Sequence, residues 1–346
     1  MGILDWFKSR PSQLDHHREA DPDSELRKIV DKAISLTNPR LKLLPLAEES
    51  LLPAVKTTVA YLREANSELP GAIEVSAAQW ASLPELKAFF VSASDVPVVL
   101  ARSTNLRTLF DKYPGLGEVY FILGMAFAEQ QANAISLQDA GGVLDSTKTV
   151  VSFSDHRVRI CGQSEAEVRH ILGTQVFEYL VAQAMSEIAE ERTERRELED
   201  NRSLIRARLR LLRQQGPGLG SVLGSPPSSV GEQSKLEAAL LENERQLEEL
   251  GSPKDVLETE LEMLRGVLEH PEKYFQVERR QFLVDSMNIV LDEKTAGLGG
   301  GASRIAFSEA RLMGVPVLQR AFIVGRVARS DVPVTKMNFE NAVRYL

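Results

Sequence analysis

Asp155 and His156 are the residues here that come nearest to a catalytic pair. A histidine moves protons near neutral pH, and a carboxylate can orient it. Adjacent residues do not build a triad unaided, however, and Ser152 and Ser154 read as ordinary strand residues. The expectation is a polar turn between two strands. Gly297, Gly299, Gly300 and Gly301 precede Ala302 and Ser303. A glycine-rich loop can cradle phosphate through backbone N–H groups, but the strong versions sit between a strand and a helix and bring a Lys-Ser/Thr pair. No lysine follows, and the next segment reads as a strand, so a connector is expected. An enzymatic reading, of unknown class, rests on the sheet loops near His156 and Gly299. No residue is assigned as catalytic.

Metal and redox chemistry find little support. Cys161 is the one cysteine. It cannot form an internal disulfide or a multi-cysteine zinc site, and its solitude fits a reducing compartment. It reads as a small residue at a strand end. His16 and His17 are adjacent, so on a helix they point apart and share no ligand face. The sequence holds no zincin helix, nucleophile elbow, dinucleotide fingerprint or kinase set. No cofactor and no metal is assigned.

The remaining candidates are for binding. Ile3, Leu4, Trp6 and Phe7, with Lys8 and Arg10, resemble a short interfacial anchor, which makes peripheral membrane contact or docking on a protein the alternatives. Trp6 stands where myristoylation wants Ser or Thr. Arg202, Arg206, Arg208, Arg210 and Arg213 crowd one stretch with no acid from 201 to 231, while Glu232, Glu237, Glu242, Glu244, Glu248 and Glu249 crowd another. A net charge of −8 argues against nucleic acid as the partner of those arginines. Pairing between the two stretches is expected instead, each exposed pair worth about 0–1 kcal/mol.

These residues must be placed by elements, and the periodicity supplies them. Residues 1–23 read as a flexible leading segment with no secretory signal. Residues 24–117 read as a helical subdomain cut by Pro45, Pro53, Pro84 and Pro97. Ser76 with Gln79 and Ser82 with Glu85 match capping boxes, and Trp80, Phe89, Phe90 and Phe110 are its core candidates. Alternation then marks strands. Val119, Phe121, Leu123, Met125 and Phe127 suggest one, 132–137 a second, and 149–154 and 157–161 two more, with Val151, Phe153, Val158 and Ile160 buried. It resumes after Tyr274: Phe282 to Leu291 suggest a hairpin turning near Ser286, followed by strands through Ile305 and Phe322. One antiparallel sheet is expected from 118–161 plus 271–346.

Between those halves, 162–270 read as a coiled-coil hairpin. Ser164 and Glu167 form a third capping box. The helix that follows to about 214 would be roughly 76 Å long. Along it Leu198, Ile205 and Leu212 are seven apart, as are Leu204 and Leu211. The second arm repeats in steps of four and three through Leu236, Leu240, Asn243, Leu247, Leu250, Lys254, Leu257, Leu261, Leu264 and Leu268. Gly251, Ser252 and Pro253 should kink it without reversing it. The tip, 216–231, is glycine- and proline-rich and is expected to be flexible, with Leu219, Val222 and Leu223 as a landing point. Folding back near 223 pairs positions adding to roughly 446, which sets Asn243 against Asn201.

The fold class is therefore α+β: a helical subdomain, an antiparallel sheet and a long antiparallel hairpin inserted between strands. The function expected is a non-enzymatic cytoplasmic scaffold or adaptor. Its hairpin would meet a protein partner through Arg202, Arg206, Arg210, Leu219, Val222 and Leu223. A homo-oligomer is compatible with the same pattern. No apolar run reaches the roughly 20 residues that span a bilayer.

Overall fold

The computed structural model describes residues 22–137, 143–214, 228–251, 256–291, 301–314 and 316–333. Its class is α+β. The helices are α1 (Pro22–Thr37), α2 (Ala47–Ser67), α3 (Pro84–Phe89), α4 (Asp95–Arg102), α5 (Thr104–Lys112), α6 (Glu165–Gln214), α7 (Ser228–Glu249) and α8 (Val256–Glu269). The strands are β1 (Ile73–Glu74), β2 (Glu118–Leu137), β3 (Val143–Gly162), β4 (Phe275–Val284), β5 (Ser303–Leu312) and β6 (Leu318–Ala328).

The six strands form one sheet in the order β3-β2-β6-β5-β4, with β1 added parallel to β6. β2 pairs antiparallel with β6 from Glu118↔Ala328 to Met125↔Ala321. Strands from before and after the helical insertion thus share a sheet. The sheet curls back on itself: Val150 bridges Ile289, and Val284 bridges Val290. The turn that makes this return is built by Asp285, whose Oδ1 accepts from Met287 and Ile289 N–H groups, with Asn288 left-handed at φ 59°. A two-residue strand such as β1 is too short for any periodicity to reveal.

The strand pattern differs from expectation around Asp155 and His156. They do not turn the chain; β3 runs through them. Between Gly124↔Arg157 and Ala126↔Ser154 the register slips by one, and it slips again between Phe121↔Cys161 and Leu123↔Val158. Each is a β-bulge, with one extra residue on β3. Asp155 takes up the first in a left-handed conformation, φ 48°. A bulge reverses the alternation of faces, which in sequence looks like a turn. It also moves Ile160 off the face of Val151, Phe153 and Val158, and puts Cys161 there instead. Likewise 118–137 is one strand, not a strand and its return.

The two sheet faces carry separate cores. On one, Phe121, Leu123, Met125, Ile305, Phe307 and Ile323 pack with Leu86, Phe89, Leu100, Leu106 and Phe110 from α3, α4 and α5 and with Phe90 just past α3. Phe89, Phe127, Phe153, Phe282 and Phe307 make a chain of ring contacts with centroids 4.7 to 6.3 Å apart. Trp80 ties its Nε1 to the Phe90 carbonyl at 3.0 Å. On the other face, Ile122, Ile160, Phe322 and Val324 pack with Leu69 and Val168.

Caps account for several helix ends. Ser164 Oγ accepts from Glu167 N–H at 3.2 Å, and the Glu167 carboxylate reaches back to Gln163 N–H at 2.7 Å. The other two boxes do not start helices. Ser76 Oγ accepts from Gln79 N–H in a turn, and α3 begins at Pro84 with Leu83 at its cap and no side-chain bond. Pro53 does not cut α2, which continues through it. Arg169 reaches the carbonyls of Asn66 in the last turn of α2 and of Leu69 and Pro70 just past it.

The chain divides into two compact units. One contains Thr58–Phe177 and His270–Leu346; the other contains Asp21–Thr57 and Glu178–Glu269. The divisions fall inside α2 and α6 and at the end of α8. In the second unit, α1 lies beside α6 through Lys32 and Glu178, 2.5 Å apart. Leu26, Ile29, Val30, Ala33 and Ile34 of α1 are buried, as are Leu261, Leu264 and Leu268 of α8.

Candidate functional site

His156 and Asp155 do not cooperate. The Asp155 carboxylate is held by Arg157 at 2.7 Å and Arg320 at 2.8 Å, and these hydrogen bonds lower its pKa, Arg157 foremost. His156 turns to Phe90 and stacks on it, centroids 4.6 Å apart. Its pKa is lowered, chiefly because burial disfavours imidazolium; a hydrogen bond with the Phe89 backbone and the charges of Asp95 and Asp155 oppose that. Burial pushes the Cys161 thiol up to about 12, so the thiolate needed for reactivity is scarce near neutrality. Gly299 lies outside the described residues, as do His16 and His17.

One charged cluster in the sheet gives no sequence signal. Glu309, buried in β5, is met by Arg280 and Arg311, each at 3.5 Å, and by Gln319. Arg280 stands over the rings of Phe127 and Phe282 and also pairs with Glu129 of β2. Two strands separate β4 from β2, and only the curl brings these residues together. Every charge here is answered by another, which suits holding the sheet closed.

Three of the residues expected to meet a partner, Arg202, Arg206 and Arg210, lie on the hairpin. α6 and α7 run antiparallel. Arg208 meets Glu232 and Arg206 meets Glu244, each at 2.6 Å. Farther down, Asn243 Nδ2 donates to the Leu198 carbonyl at 3.1 Å, and Arg195 donates to the carbonyls of Leu250 and, at 3.0 Å, Gly251. Below these, Arg192 Nε meets Glu260 of α8 at 2.8 Å. From Arg208–Glu232 at the outer end to Arg192–Glu260 the contacts descend both arms, and α8 continues the direction of α7. Gly251, at φ 79°, ends α7 in the left-handed conformation glycine adopts freely. Residues 252–255 lie outside the described residues. Ser228 to Gly231, expected in the tip, are already helical.

The seam explains which residues face which. On α6 the steps of four and three run through Ala184, Ile188, Glu191, Arg195, Leu198, Arg202, Ile205, Leu209 and Leu212, all buried or half-buried. Leu204 and Leu211, the other residues seven apart on α6, are 68% and 58% exposed. Asn201 is exposed as well. Asn243 meets the Leu198 carbonyl, three residues before Asn201 on α6. Asn243 is buried, and its Oδ1 has no hydrogen-bond partner. Arg195, Glu199, Arg202, Glu244, Leu247 and Glu248 line a groove along this polar stretch.

Among the expected interaction residues, Arg206 is engaged with Glu244, Arg202 lines the groove and Arg210 is exposed. Leu219, Val222, Leu223, Ile3, Leu4, Trp6 and Phe7 lie outside the described residues. Sequence reasoning missed Glu191 and Arg195, where charge hid the seam; extending the four-three steps back from Leu198 would have found both. No helix among the described residues is long and apolar enough to cross a membrane. No protein-family model, curated protein or solved structure matches this chain.

Proposed function

We propose that this protein is an adaptor and that its α6–α7 hairpin, an antiparallel coiled coil in this reading, is the arm that meets a protein partner. One observation carries the proposal. Toward the end of α8, Leu261, Leu264 and Leu268 are buried, where α1 lies against α6 as a third helix. Outward, Leu209 is buried, but Leu198, Ile205, Leu212, Leu236, Leu240 and Leu247 are only half-buried between two helices. There Leu204, Leu211 and Leu241 are 68%, 58% and 71% exposed. Single exposed leucines are ordinary. A half-covered seam flanked by two leucines seven residues apart is the surface an added helix would bury.

The test is affinity purification from native cells with the full chain and with Leu204→Ser/Leu211→Ser/Leu241→Ser. All three side chains are exposed, so the fold should survive, and circular dichroism checks that it does. Loss of a co-purifying protein from the triple variant is the expected result. Identical recovery with both chains would overturn the proposal.

A further inference from the structure

Leu204 and Leu211 share one flank of the hairpin. Arg208 is four residues from the first and three from the second, so all three are neighbours on α6. Arg208 pairs with Glu232, which places Glu232, Lys235, Ala239, Glu242 and Gln246 of α7 on that flank too. Leu241 is three residues from Glu244, whose partner Arg206 marks the opposite flank. The hairpin therefore has two unlike sides, and the side with two leucines and the small Ala239 is the more apolar.

We infer that this side binds the same side of a second copy of the chain, forming a four-helix bundle with its two-fold axis parallel to the arms. The inference rests on reading the hairpin as an interaction arm and names one occupant of it. Charge decides both the occupant and the geometry. The outer part of α6 is basic and carries no acid from 201 onward, while α7 holds six glutamates against Lys235 and Arg245. A two-fold axis parallel to the arms lays each α6 over the other copy's α7. Arg208, the arginine of the outer α6 on this flank, then approaches glutamates, and Leu204 faces the level of Glu242. A two-fold axis across the arms would lay α6 on α6 and set arginine against arginine, which is repulsive. A self-complementary patch of this kind closes as a dimer and does not propagate.

Light scattering on the full chain tests the inference. Wild type should have twice the 38.4 kDa mass of one chain. Leu204→Ser/Leu211→Ser should weaken the dimer about tenfold or more, as loss of a central apolar anchor does, with an unchanged circular dichroism spectrum. Geometry is read by disulfides in a Cys161→Ser background. Leu204→Cys mixed with Glu242→Cys should give the heterodimer. A monomeric wild type, a dimer indifferent to the double substitution, or preferential disulfides between Leu204→Cys and Leu211→Cys would overturn it. Co-purification separates this from the adaptor reading. If wild type is monomeric but the triple variant loses a bound protein, only the self-association fails; if nothing is lost either, both fail.

Discussion

Asn38 Nδ2 donates to Glu260 Oε2 at 2.7 Å across a separation of 222 residues. Asn38 sits just past α1 and caps the short helical turn Pro39–Leu43; Glu260 is buried in α8. Arg192 of α6 completes the arrangement from the other carboxylate oxygen. A single buried carboxylate thus joins three helical segments of one unit.

Removing one partner of a buried charge is costly because the other is left unanswered. Arg192→Met should therefore lower unfolding free energy by roughly 2 kcal/mol, the value of a hydrogen bond to a charged group. In a Glu260→Leu background the same substitution should cost almost nothing, since no charge remains to be orphaned. Urea denaturation of the four chains makes the comparison. Equal costs in both backgrounds would show that Arg192 acts without Glu260.

Asn243 presents the opposite case. Its Nδ2 is satisfied by the Leu198 carbonyl, but its buried Oδ1 is not. Asn243→Leu should raise the thermal midpoint, because an unsatisfied buried acceptor costs about 1–3 kcal/mol. The gain should come with looser pairing. A polar residue in a leucine seam discriminates between registers, so cross-links between neighbouring positions of the arms should become less selective. A lowered midpoint with unchanged cross-links would refute this account.

His156 predicts an acid transition. Its folded pKa is below the value near 6.5 of a free histidine, so folding favours the neutral ring. The associated stability is fully present above the unfolded pKa. It is lost as pH falls through the folded one. Trp80 reports on it, being hydrogen-bonded to the Phe90 carbonyl while His156 stacks on the Phe90 ring. In a Trp6→Phe background, fluorescence should change as pH drops below about 6.5. His156→Phe should remove that step, and a step of the same size in both chains would assign it elsewhere.

Among the described glycines, Gly325 leaves the least room for a side chain. A Cβ there would lie 2.8 Å from Phe121 Cζ and 2.9 Å from Val75 Cγ2. Both neighbours are fully buried, so neither can move cheaply. Gly325→Ala should cost about 1–3 kcal/mol, the usual penalty for overpacking a core, and should loosen β1 from β6. Amide exchange at Val75, whose N–H bonds the Arg326 carbonyl at 2.9 Å, would accelerate. Wild-type exchange and stability in the variant would contradict this.

What the sequence determined by itself is what local periodicity can carry. The four-three steps of the second arm, the glycine stop at Gly251, the Ser164 cap and the alternation in 119–127 each need only neighbouring residues, and each reads directly. The pause in strand patterning between 161 and 275 also foretold that one sheet would span the insertion. Tertiary structure decided the rest. Whether Asp155 and His156 turn the chain or bulge it depends on the strand alongside, because a one-residue slip and a turn interrupt alternation in the same way. Whether Asn201 faces Asn243 or solvent depends on which stripe of α6 meets α7, because one residue along a helix rotates a side chain by about 100°. Glu260 with Asn38, and Glu309 with Arg280, could not be foreseen, since a buried charge is tolerable only when distant parts of the chain bring its partner.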